Sequence, residues 1–128
     1  LSGISVKLLV PGISDSWLVN LAARSYYDDL LNAGVEIYQY KKGFVHAKTM
    51  VTDGSIAIIG TANMDQRSFD LNFEVNAIVY DTDIASQLRN IFFDDLKDEE
   101  IIDVVAWKER QWYKLLIEQA ARLIWPLL

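Results

Sequence analysis

The chain has 128 residues, a formal net charge of −6 and an apolar fraction of 52%, which fits one globular domain with a sizeable core rather than a disordered segment. It carries no cysteine and a single histidine, which excludes disulfides and thiolate metal sites and disfavours a zinc site. Acidic clusters at Asp28-Asp29, Asp94-Asp95 and Asp98-Glu99-Glu100, against a basic pair at Lys41-Lys42, disfavour a grip on nucleic acid, which needs clustered Lys and Arg.

In chain order, the apolar run 6–10 stopped by Pro11-Gly12 predicts a buried strand. Trp17, Leu18, Leu21, Ala22, Tyr26, Leu30 and Leu31 then recur at helical spacing. They predict a helix over about 16–32, capped by Ser14, Asp15 or Ser16 and stopped by Gly34. Residues 35–40 return as a strand, and strand–helix–strand order implies parallel pairing. Strands over about 45–52 and 55–60 follow, joined by Asp53-Gly54, a dipeptide that suits a tight two-residue hairpin. Asp53 therefore has a structural task, bonding nearby turn amides, and this reading is preferred to direct catalysis.

A polar loop over 63–70 precedes a strand over about 73–80, whose alternation sets Glu74, Asn76, Ile78 and Tyr80 on one face. Asp81-Thr82-Asp83 caps a helix over about 84–97. An extended stretch over 101–105 then leads to a final helix over about 106–124. On that helix Trp112, Leu115, Leu116, Ala120, Leu123 and Ile124 form an apolar stripe expected to pack on the sheet. The closing Trp125-Pro126-Leu127-Leu128 keeps contact with a bilayer interface as the lesser alternative. No apolar run approaches the roughly 18 residues of a spanning helix, and no signal peptide is recognisable. A chain that opens at Leu1 rather than Met reads as a fragment of a longer protein.

The chemistry concentrates at His46-x-Lys48-x4-Asp53, with Asn63 downstream inside Gly60-Thr61-Ala62-Asn63. A period-2 strand turns His46 and Lys48 to the same face, so a nucleophilic nitrogen and a fixed cation address one spot. That arrangement suits a phosphate whose oxygens need positive charge while its phosphorus is attacked. Asn63 and Lys48 would hold the non-bridging oxygens. Glu74 is the candidate to orient the imidazole through its second nitrogen. Exchange through a covalent intermediate also needs an acid–base partner. One histidine cannot hold the phosphoryl group and shuttle the proton, so the counterpart of His46 comes from outside residues 1–128.

His46, Lys48, Asp53 and Asn63 resemble one copy of the repeated signature of the phospholipase D superfamily. The run from Ile59-Gly60-Thr61-Ala62-Asn63-Met64-Asp65-Gln66-Arg67-Ser68-Phe69 to Leu71-Asn72-Phe73-Glu74-Val75-Asn76 is more specific. It resembles the C-terminal half of bacterial cardiolipin synthases, as do Val6-Lys7-Leu8-Leu9-Val10-Pro11 and the closing Ala121-Arg122-Leu123 and Pro126-Leu127-Leu128. The resemblance implies an α/β fold, a phospholipase D-like mixed β-sheet flanked by helices, forming one catalytic half as a single domain over 1–128. It implies His46, Lys48 and Asp53 as catalytic, Asn63 with Lys48 as phosphate-binding, and Glu74 and Ser68 as supporting, with Arg67 near the pocket.

The implied reaction is phosphatidyl transfer between two phosphatidylglycerols, giving cardiolipin and glycerol through a phosphohistidine, with no cofactor and no metal. The second signature would come from an N-terminal half of the parent chain or a homodimer mate. The setting would be a membrane surface, as a cytoplasm-facing or peripheral part of a membrane-anchored bacterial protein, with the fragment itself soluble and no nucleic-acid partner. Two alternatives stay open: a nuclease-type phosphodiesterase with the same core, and a silent half that only pairs.

Overall fold

A computed structural model describes residues 3–13, 17–43, 45–63, 68, 72–97 and 99–124. The elements run β1 (Lys7–Pro11), α1 (Trp17–Arg24), α2 (Tyr27–Asn32), β2 (Glu36–Tyr40), β3 (Thr49–Thr52), β4 (Ile56–Gly60), β5 (Asn76–Tyr80), α3 (Thr82–Leu96), β6 (Glu100–Ile101), α4 (Val104–Lys108) and α5 (Trp112–Ile124). They fall into two compact units, Leu1–Val45 with Asp98–Leu128, and His46–Lys97. The expected mixed α/β class holds, but the strands form two three-stranded sheets, β1-β2-β6 and β3-β4-β5. The expected caps Ser14, Asp15 and Ser16, the loop residue Arg67 and the closing Trp125 to Leu128 lie outside the described residues.

In the first unit β1 and β2 pair in parallel, as strand–helix–strand order requires, and β6 adds an antiparallel edge. The expected single helix over 16–32 is broken at Ser25 and Tyr26. The Ser25 hydroxyl donates to the Ala22 carbonyl at 2.6 Å, and the Tyr26 N–H reaches Ala23 at 3.1 Å. These three-residue spacings tighten the turn and end the first helix. The stop at Gly34 is as read. With φ at +87°, its N–H bonds Leu31 at 3.0 Å while that of Val35 bonds Leu30 at 3.0 Å, a double bond-off that needs a left-handed residue. Tyr27, Leu31, Ile37 and Trp107 form the buried centre, flanked by Val10, Leu30, Val35 and Ile102. Burial there pushes the Tyr27 hydroxyl up to about 12.

The final helix departs from expectation twice. Asp103 caps a short α4, accepting from Val105 at 2.7 Å and Ala106 at 2.9 Å, and the chain breaks again before α5. Arg110, in that break, forks onto Asp28 at 3.1 and 2.6 Å and reaches Glu118 at 3.1 Å. Its guanidinium lies 4.4 Å from the Trp107 ring centroid. Helix α5 packs on α1, but not through the expected stripe. Glu118, drawn inward by Arg24 at 3.2 Å and Arg110, is buried with Ala121, whereas Trp112, Leu116 and Leu123 are 73%, 58% and 82% exposed. Two paired guanidinium groups outbid the apolar stripe for the seam, because an unpaired buried carboxylate would be far costlier.

The second unit is an antiparallel sheet. Thr49 to Thr52 pair with Ile59 to Ile56, and Gly60 to Ile56 pair with Asn76 to Tyr80. Helix α3 packs on all three strands. Its expected cap is present: the Asp81 carboxylate accepts from the Asp83 and Ile84 N–H groups, both at 2.9 Å.

Candidate active site

The ladder of β3 begins only at Thr49, so His46 and Lys48 stand just before the strand rather than inside it. The Lys48 carbonyl is still tied to the sheet, accepting the Gly60 N–H at 3.1 Å. The side chains meet as expected, with Lys48 Nζ 2.6 Å from His46 Nε2. An ammonium has only donors, so the ring nitrogen facing it offers its lone pair. The His46 side chain is exposed and that of Lys48 half-buried.

Register brings the rest of the motif to the same end of this sheet. Gly60 faces Asn76 across β4 and β5, so the start of β3, the end of β4 and the start of β5 converge. Thr61 locks that corner. Its N–H bonds the Val75 carbonyl at 3.0 Å, its hydroxyl accepts the Val75 N–H at 3.0 Å, and the same hydroxyl donates to Glu74 Oε2. Ser68, buried, accepts the Asn63 N–H at 3.2 Å and also bonds Glu74. Asn63 is thus held by its backbone, and its side chain is exposed.

Glu74 behaves otherwise than expected. Among the described residues its carboxylate takes Thr61, Asn72 at 3.3 Å and Ser68 as donors rather than the His46 ring. The Thr61 bond, then those from Asn72 and Ser68, and the Lys48 charge beyond them, hold this carboxyl below its ordinary value. The physical reason is that β5 starts at Asn76, so strand alternation does not govern Glu74, and Thr61, just past the end of β4 and 13 residues away, captures it.

Asp53 is set apart. It takes φ +52° and Gly54 +64°, and the Ser55 N–H closes the turn on Thr52 at 3.2 Å. Thr52 faces Ile56, so the connection holds one residue more than the expected two-residue loop. Five residue steps along β3 put Asp53 about 17 Å from Lys48, at about 3.4 Å per residue. The Asp53 carboxylate accepts from Thr52 at 3.3 Å. Its visible task is the turn.

Two contributors went unassigned in the sequence. Thr61 is the donor that binds Glu74, and Asn76 lies against Gly60. The only sequence signal for Asn76 is a second polar residue alternating with Glu74 in an apolar run. Among the described residues no group of His, Cys, Asp and Glu is gathered to hold a metal ion.

An imidazole and an ammonium in contact, beside a Gly-Thr-x-Asn loop at the end of a small α/β sheet, mark the phospholipase D-like class. Residues 1–96 match the family described as cardiolipin synthase, PLD-like domain, and the chain belongs to that family. It is 51% identical to a cardiolipin synthase of Geobacillus thermodenitrificans over 128 residues, all of this chain and 26% of that one. It is 49% identical to cardiolipin synthase 2 of Bacillus anthracis, again over the whole chain and 25% of the relative. A cardiolipin synthase of a Geobacillus species matches at 49%, over the whole chain and 26% of the relative. The chain thus spans about a quarter of the length of these curated relatives. No solved structure matches it significantly.

Proposed function

We propose that this chain supplies one histidine–lysine signature to a phosphatidyltransferase that joins two phosphatidylglycerols into cardiolipin and releases glycerol. The observation that carries the reading is the contact of Lys48 Nζ with His46 Nε2 at 2.6 Å. A phosphodiester oxygen is a stronger acceptor for an ammonium than a neutral ring nitrogen. On arrival it takes Lys48 as partner and leaves Nε2 with its lone pair directed at phosphorus. The other ammonium protons and the Asn63 side chain then face the non-bridging oxygens, where charge builds in the transition state.

Two steps balance the exchange. A histidine nitrogen attacks phosphorus and the bond to glycerol oxygen breaks, the alkoxide taking a proton from a second histidine. That second histidine then removes the proton from a hydroxyl of the next phosphatidylglycerol, whose oxygen attacks the phosphohistidine and frees the ring. The single histidine here fills one of these roles. The other comes from a second signature, in the remaining length of a relative-sized chain or in a homodimer mate. Thr61, Ser68 and Glu74 brace the Asn63 loop. The family match and the acidic balance of −6 support lipid over nucleic acid as substrate. The reaction would take place at a membrane surface; among the described residues no helix is long and apolar enough to cross one.

The test uses this segment in a chain of its relatives' length, given labelled phosphatidylglycerol vesicles and, separately, an oligonucleotide. Cardiolipin and glycerol should form from the first, the oligonucleotide should stay intact, and His46→Ala should abolish turnover in a folded protein. Cleavage of the oligonucleotide with no lipid product would instead assign a nuclease.

A further inference from the structure

We propose that Asn76 is a substrate-binding residue whose carboxamide reads the headgroup hydroxyls of phosphatidylglycerol, and so selects a glycerol ester over other phosphodiesters. The inference rests on the phosphatidyltransferase reading above and names a specificity determinant within it. Strand register builds the site. Thr49 pairs with Ile59, and the Gly60 N–H bonds the Lys48 carbonyl at 3.1 Å, so Lys48 continues the β3 register opposite Gly60. Gly60 in turn pairs with Asn76. Directly opposed residues of an antiparallel sheet turn to one face. Lys48, the bare Cα of Gly60 and Asn76 therefore form one row across three strands. The next row on that face, Met50, Ile58 and Ile78, is apolar. The polar row thus sits at the end of the sheet that carries His46.

Lys48 and Asn76 are two inter-strand spacings apart, about 10 Å between Cα atoms, and each leans toward the gap between them. The Asn76 Oδ1 lies 1.9 Å from the point where a β-carbon on Gly60 would stand, which places it over the middle strand. The Lys48 charge reaches the carboxyl of Glu74, two residues before Asn76. The recess between them is floored by glycine, with a cation at one side and an amide at the other. Chemistry assigns its occupant. An ammonium offers donors only and suits phosphate oxygens, whereas a carboxamide offers an acceptor as well. An Oδ1 turned into the recess repels a phosphate oxygen and accepts from a hydroxyl. A phosphodiester whose alcohol carries further hydroxyls supplies both groups side by side, and phosphatidylglycerol is such an ester. Among the described residues no group hydrogen-bonds this amide, whereas the neighbouring Thr61, Ser68 and Asn72 are all engaged by Glu74. Asparagine is a poor strand former, yet it opens β5 with its side chain exposed. Neither local propensity nor burial accounts for it.

The test uses this segment in a chain of its relatives' length. It is given two lipids that share acyl chains and phosphodiester, phosphatidylglycerol and phosphatidylpropanol, each labelled in its headgroup. Release of the labelled alcohol gives kcat/KM for each. The unaltered protein should favour phosphatidylglycerol by about tenfold, the scale of one hydrogen bond, and Asn76→Ala should erase most of that preference. Asn76→Leu, of similar volume without polar atoms, should do the same. A ratio between two substrates does not move when a change acts only on folding. A preference kept in both variants overturns the proposal and leaves the phosphatidyltransferase reading intact. So does an unaltered protein that turns over both lipids equally. No turnover of either lipid by the unaltered protein removes the reading and the proposal together.

Discussion

Oδ1 of Asn76 lies 1.9 Å from the point where a β-carbon on Gly60 would stand, and the Val75 carbonyl oxygen lies 2.5 Å from it. The glycine of the Gly-Thr-x-Asn loop is thus required by the neighbouring strand rather than by an unusual backbone angle. Its bare Cα lets β5 close over β4 where Thr61 clasps Val75.

Gly60→Ala should therefore destabilise the chain by about 1–3 kcal/mol, the usual range for overpacking, measured by urea unfolding. Adding Asn76→Ala should recover only part of the loss, because the Val75 carbonyl still stands 2.5 Å from the new carbon. Full recovery would mean that the side chain alone sets the constraint.

Lys48 should be the most sensitive position after His46. In a chain of relative length, Lys48→Met should lower kcat/KM for phosphatidylglycerol by roughly 10²–10³, the loss typical of one transition-state donor. The melting temperature should hardly move, since Lys48 is tied to the sheet by its backbone carbonyl. A large fall in stability with unchanged turnover per folded molecule would make the lysine structural.

Asp53 should separate turn from catalysis. At φ +52°, Asp53→Asn should keep both stability and turnover, because Asn tolerates the left-handed region. Asp53→Val should cost about 1–2 kcal/mol, the penalty of that region for an ordinary residue. Loss of turnover in a stable Asp53→Asn protein would restore a direct chemical role.

The Arg110 fork, with a further bond from Trp107 at 2.9 Å, holds the Asp28 carboxyl below its ordinary value of 3.8. The folded carboxyl binds its proton more weakly than the unfolded chain's does. The contribution is therefore fully present above 3.8 and is lost as pH falls from there through the lower folded value. Thermal melts of the unaltered chain and Asp28→Asn should differ at neutral pH and converge below that point. A constant difference down to strong acid would show that the ion pair is not the source.

What could be read from the residues in order was whatever a few neighbours decide. Asp81 caps its helix, Gly34 stops another and Asp53-Gly54 turns a hairpin, because each depends on backbone groups within four residues. His46 and Lys48 meet for the same reason, being two residues apart on an extended backbone. Tertiary structure decided the rest. Which side of α5 turns inward depends on Arg24, 94 residues before Glu118, and the break before α5 on Asp28, 82 residues before Arg110. Glu74 bonds Thr61, not His46, because β5 begins three residues later than alternation suggested. An apolar pattern records which side chains avoid water. What covers them, and which donors capture a carboxylate, is settled by long-range partners whose pairing energies exceed the local preference.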